Sequence, residues 1–249
     1  MEKLSRRSYN ALPLEKDYGV NTMEYHELDN ALEHYNDLFQ KGLKKQANKY
    51  IEDFSGKIEA IAAFEQEQIL YRFVSGLCDD NKYDFLKERG NGRIPFALEQ
   101  YVKKWLYNRC AAGRMPELRW FYELFHSDRY GVEYAYDFLE KAYESSECDS
   151  KTVNLLFDSH LRVLGWGAHH FPASCIITDA AKRSAFEQCR KIMREKAVDE
   201  KLQAQLKYYE ILYSCYDRYN DDGKKADFEQ YCAEANIRFY ETKAFYYKK

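Results

Sequence analysis

The chain has 249 residues, 38 basic and 41 acidic side chains and a formal net charge of −3, which excludes a global attraction to nucleic acid or to an anionic membrane. Eleven glycines, four prolines and 16 % aromatic residues are the opposite of a disordered composition. No apolar run approaches the ~18 residues of a membrane span, and no secretory signal is expected behind Met1.

Twenty-three tyrosines explain how an aromatic-rich chain reaches a mean hydropathy of −0.73, because a tyrosine ring packs like a hydrophobe while its hydroxyl is scored as polar. Seven cysteines, an odd number with no Cys-x-x-Cys pair, argue for free thiols in a cytoplasmic protein and against a disulfide framework or a thiolate-bound metal.

Taken in chain order, residues 1–22 are expected to form an N-terminal arm, followed by one α-helical domain over 23–249. The recurrence of apolar residues at three and four positions predicts helices at about 26–40, 43–54, 57–77, 80–89, 95–111, 115–127, 131–146, 150–164, 173–196, 199–220 and 224–246. Leu28, Ala31, Leu32, Tyr35, Leu38 and Phe39 form one such stripe. Leu202, Leu206, Tyr209, Tyr213 and Tyr216 form another. Pro95 and Pro116 fit a first helical turn, where the missing N–H is harmless. Asp149 and Ser150 offer an oxygen to the amides that start the next helix. The segment 165–172 (Gly-Trp-Gly-Ala-His-His-Phe-Pro) is expected to be an irregular corner, with Pro172 opening the helix that follows. No sustained alternation of two residues is present, so the fold class is all-α.

Turn centres near Gly42, Asn81, Gly113, Asp149 and Gly223 lie 39, 32, 36 and 74 residues apart. Ile69-Leu70-Tyr71 before Asp79-Asp80-Asn81-Lys82 is echoed by Ile211-Leu212-Tyr213 before Asp221-Asp222-Gly223-Lys224. With Gly42, Ala47, Ile51 and Phe54 in the turn and small/large positions, this resembles tetratricopeptide-type repeats, whose unit is a 34-residue helical hairpin. The resemblance implies stacked antiparallel helical hairpins over 26–246, as an α-solenoid. An irregular helical bundle gives similar intervals.

Several residues carry possible chemistry. Arg162 and His169 are separated by six residues, as are Arg119 and His126. That spacing resembles the Arg-x4–6-His signature of the all-α HEPN ribonucleases, and it implies an RNA-acting site at Arg162, His169 and His170 as an alternative reading. Residues 218–229 approximate a calcium loop, but Arg218 stands at its first ligand position. His160, His169, His170 and Cys175 match no standard zinc spacing. No phosphate loop, dinucleotide fingerprint, serine elbow or zinc-protease helix is present. No cofactor and no metal site is therefore expected.

The favoured reading is a non-catalytic protein- or peptide-binding module acting as adaptor, regulator or neutraliser of its partner, with a structural subunit of a larger assembly as a further alternative. The partner is expected to be a protein or peptide; a membrane is not expected, nor is nucleic acid under this reading. Tyrosine supplies contact area at low entropic cost. The candidate contact residues are therefore Trp166, Tyr209, Tyr213, Tyr216 and Tyr219, on an exposed aromatic surface in the C-terminal third.

Overall fold

The computed structural model describes residues 25–87, 94–126 and 134–239. The expected arm over 1–22 and the tyrosines at 240, 246 and 247 lie outside them. Among the described residues there are eleven helices and no strand, so the fold is all-α with neighbouring helices packed together. The chain divides into two compact units, Met1–Trp105 and Leu106–Lys249.

The first unit contains α1 (Tyr25–Gln40), α2 (Lys44–Ala60), α3 (Ala63–Cys78), α4 (Asp84–Lys87) and most of α5 (Phe96–Ala111). Leu28, Ala31, Leu32 and Tyr35 are buried, the i, i+3, i+4, i+7 face of α1. Across from them, Ala47, Ile51, Phe54 and Ile58 are buried on α2, and His34 meets the Tyr50 ring edge-on at 4.5 Å. Gly42 turns the chain between these helices at φ +77°, a conformation open to glycine at little cost. Asn81, Gly113 and Gly223 also have positive φ, so four of the five turn centres read from sequence are left-handed turns.

The break expected after Phe54 lies instead at Ile61 and Ala62. The Ser55 hydroxyl donates to the Ile51 carbonyl at 2.7 Å, which keeps this serine inside the helix. The Gln66 amide donates to the carbonyls of Ile61 and Glu59 at 2.9 and 3.2 Å, satisfying acceptors that the end of α2 leaves open.

The second unit contains α6 (Glu117–Phe125), α7 (Tyr134–Glu144), α8 (Ser150–Ala168), α9 (Asp179–Glu195), α10 (Glu200–Asp221) and α11 (Phe228–Glu234). Each of α6 to α9 packs on the next, α10 packs on both α8 and α11, and Trp120, Phe121, Phe125, Phe157, Leu161 and Leu164 lie in the core. As the sequence suggests, Asp149 caps α8, its carboxylate accepting the Thr152 amide at 2.7 Å.

The corner is smaller than expected. Helix α8 runs through Gly165, Trp166, Gly167 and Ala168, and the turn begins at His169. The two glycines are there for close approach. A Cβ on Gly165 would lie 2.7 Å from the Tyr209 hydroxyl, and one on Gly167 would lie 2.2 Å from the Tyr213 hydroxyl and 2.6 Å from Ile177. The Tyr213 hydroxyl enters this notch and donates to the Leu164 carbonyl at 2.9 Å. Pro172 sits in the turn and opens no helix. Helix α9 starts six residues later than expected, where the Thr178 hydroxyl accepts the Ala181 amide at 3.1 Å. Helix α11 is also shorter than expected, and Asn236 at φ +56° lies just beyond its end.

Candidate functional site

Among the described residues, the first unit has a groove of about 650 Å³ between α2 and α5, within the usual size of ligand pockets, about 300–1,000 Å³. Helical spacing generates its two walls. Asn48, Glu52, Gly56 and Glu59 recur along α2 at intervals of four, four and three. Phe96, Gln100 and Lys104 recur along α5 at intervals of four, with Ala97 and Tyr101 beside them. Ile51 and Ser55, both buried, supply the floor.

Three features set the groove apart from an ordinary helix seam. Phe96 is 75 % exposed, a whole aromatic face left in water at a cost that burial would recover. Gly56 sits mid-helix, where glycine is unfavourable, and a Cβ there would meet nothing within 4 Å, so the space above it is open. The Tyr101 hydroxyl donates to Glu59 at 2.9 Å. That bond ties the walls together through a neutral donor and leaves the carboxylate charge intact. The Tyr101 phenol is raised above its ordinary pKa by burial and then by Glu59, so it remains a donor at physiological pH. The sequence reading missed this groove. Gly56 falls between two expected helices in the sequence, and only the continuous α2 of the structure places it on a groove wall.

The residues proposed for an RNA-acting site fall into separate contacts. Arg162 donates to Asp158 at 2.8 Å and lies 3.0 Å from His126 Nε2. His126 Nδ1 is 2.7 Å from the Tyr122 carbonyl. A carbonyl only accepts, so Nδ1 carries the proton and Nε2 accepts from Arg162. Arg162 thus meets the histidine of the other Arg-x6-His pair. His169 instead lies against Trp166 and His170, with ring centroids 5.6 and 5.1 Å away. Arg119 is buried and paired with Glu123 at 2.5 Å and Asp149 at 3.2 Å, in an ion network that Lys151 joins through Glu123 at 2.8 Å. Its role is to join α6 to the start of α8.

His160 faces Tyr136, with Nε2 3.2 Å from the phenol oxygen. Burial pushes its pKa down to about 4 and pushes Tyr136 up to about 12. Both are neutral at physiological pH, which suits a packed hydrogen-bonding pair. Burial raises the thiols of Cys110, Cys148, Cys189, Cys215 and Cys232, so none of these five is an activated nucleophile.

The calcium-like loop is occupied by its own side chains. Asp222 accepts the Tyr231 hydroxyl at 3.0 Å, Asn220 donates to the Tyr216 carbonyl at 2.9 Å, and Arg218 pairs with Glu234 at 3.3 Å. Among the described residues no three of His, Cys, Asp and Glu are grouped to hold a metal ion.

Of the five contact candidates, Trp166 is 61 % exposed. Tyr213 is 3 % exposed, which removes it from any contact surface. Tyr216 stacks on Phe171 at 3.9 Å and 2°, Tyr219 meets Phe228 and Tyr231, and Tyr209 is half-buried at the Gly165 notch. Of these α10 tyrosines, Tyr213 is buried while Tyr209, Tyr216 and Tyr219 are half-buried, so the helix presents partly covered rings in place of the expected exposed aromatic surface. Among the described residues, the large exposed rings of the first unit are Phe64, Tyr71 and Phe96.

No helix among the described residues is long and apolar enough to cross a membrane. No family model, no curated protein and no solved structure matches the chain.

Proposed function

We propose that the protein is a non-catalytic helical module that binds a segment of another protein in the α2/α5 groove. The observation that carries this reading is the groove itself, a cavity of about 650 Å³ lined by an exposed Phe96 and floored beside an open Gly56. Binding would bury the Phe96 ring, and aromatic side chains anchored in pockets dominate the energy of such contacts. The free state of all seven thiols supports work in a reducing compartment, in keeping with a cytoplasmic location. The repeat-like hairpin spacing supports the same class of function, because stacked helical hairpins present grooves between their helices.

The test is a selection from a randomised peptide library displayed on phage, run on the purified chain. Binders are expected to enrich on the wild type and to be lost on Gly56→Leu and on Phe96→Ala, with the helical circular dichroism of both variants unchanged. Enriched peptides that bind all three proteins equally would overturn the groove as the site.

A further inference from the structure

The α2/α5 groove also specifies what it takes. Its walls are helices, whose backbone donors and acceptors are used internally, so an extended peptide finds no ladder to join. A helix brings its own backbone bonds and needs only side-chain contacts.

Along α2 the charges have a defined pitch. Glu52 and Glu59 are seven residues apart, two helical turns or about 10.5 Å. Gly56 lies between them, four residues after the first and three before the second, and the space above it is open. Asp53, outside the groove lining, is paired with Lys49 at 2.8 Å, and Lys49 attracts Glu52 less strongly than it does Asp53. Among the described residues, the cation lining the groove is Lys104, on the α5 side. The acidic wall and the basic residue are therefore on opposite sides of the same trough.

We infer that the occupant is an amphipathic helix with a bulky apolar anchor that seats over Gly56, flanked by two Lys or Arg residues seven positions apart that face Glu52 and Glu59. This rests on the groove being the binding site, and adds the chemistry of the partner. A helix lying along α2 matches its rise per residue, so cations at i and i+7 reach both carboxylates while the residue at i+3 or i+4 points between them. Lys104 disfavours cations on the other flank, which orients the helix in the trough.

The experiment uses the full chain and three dye-labelled synthetic helices of one Ala/Gln background, read by fluorescence anisotropy. The first has a Leu anchor and Lys at i and i+7. The second has Glu at those positions. The third keeps the lysines and replaces the anchor by Ala. The Lys peptide is expected to bind at least ten-fold tighter than the Glu peptide and than the anchorless peptide. The gap between Lys and Glu peptides is expected to collapse in Glu52→Gln/Glu59→Gln, and Gly56→Leu is expected to abolish binding. Phe96→Ala serves as the second blocking variant should Gly56→Leu not fold.

If Lys and Glu peptides bind equally and Gly56→Leu still blocks both, the charge specification falls and the groove stands. If no peptide binds, or binding survives both blocking variants, the groove reading falls with it. A dimer in sedimentation that dissociates on Phe96→Ala would make a second copy the occupant and overturn the proposal.

Discussion

At Gly167 a single hydrogen in place of a methyl group separates a fitted contact from a clash, since a Cβ would fall 2.2 Å from the Tyr213 hydroxyl and 2.6 Å from Ile177. Gly167→Ala is therefore expected to destabilise the protein by about 1–3 kcal/mol, the usual range for overpacking, measured by urea unfolding. Part of this loss is expected to return in Gly167→Ala/Tyr213→Phe, which removes the clashing oxygen. Gly56 is the opposite case. Its Cβ would meet nothing, so Gly56→Ala is expected to stabilise α2 by about 0.5–1 kcal/mol through helix propensity alone. His160 carries the pH dependence of this scale. Its folded pKa of about 4 lies below the unfolded value near 6.5, so between these values the unfolded chain binds more protons. Stability is then expected to fall as pH drops from about 6.5 to about 4, by about 2–3 kcal/mol, and to be present in full above that window. Denaturation midpoints of wild type and His160→Gln across this range check it, the variant losing less.

At the scale of elements, one carboxylate serves both the start of α8 and its join to α6. Asp149 caps α8 through Thr152 and faces the buried Arg119 at 3.2 Å. Asp149→Ala removes a cap, about 1 kcal/mol, and a carboxylate paired with a buried guanidinium. A total loss of about 2–4 kcal/mol is expected in chemical denaturation, and Asp149→Asn is expected to recover the cap but not the ion pair. This cap was legible in the sequence, as were the helices, because apolar periodicity and Asp-Ser at a helix start are local signals. The misplaced ends have non-local or side-chain causes. Ser55 stays helical through a bond to Ile51, and α2 ends where Gln66 reaches back to it. Gly165 and Gly167 read as a corner because, along the chain, glycine signals a bend; their use as a notch is visible only once α10 lies across α8. The groove was illegible for a related reason, since its two walls are 37 residues apart or more in the chain and neither is unusual alone.

For the whole molecule, the division between Trp105 and Leu106 falls inside α5, and two compact units imply two cooperative blocks. Hydrogen exchange read by mass spectrometry is expected to show residues 25–87 and 134–239 opening with distinct free energies, and Gly167→Ala is expected to speed exchange in the second block only. A uniform response across the chain would contradict it. The tyrosine surplus also has its account at this scale. In the second unit Tyr213, Tyr216 and Tyr219 meet Phe171, Phe186 and Phe228 in ring contacts, and Tyr231 meets Tyr219. The hydroxyls of Tyr213 and Tyr231 reach polar partners, at the Leu164 carbonyl and the Asp222 carboxylate. A core of this kind is hydrophilic by composition and aromatic by packing, which is how the low mean hydropathy and the compact helices coexist.

The glycine notch on α8 has a consequence for descent. Small residues at 165 and 167 and hydroxyl-bearing rings at 209 and 213 fit as a set, because a methyl group added on α8 would need the space that the tyrosine hydroxyls and, at 167, also Ile177 occupy. In diverging copies of this chain the two helices are expected to change in step at these positions. A search keyed to that long-range pairing, Gly-x-Gly on one helix with Tyr-x3-Tyr some forty residues later, would then recognise kinship where overall identity has faded.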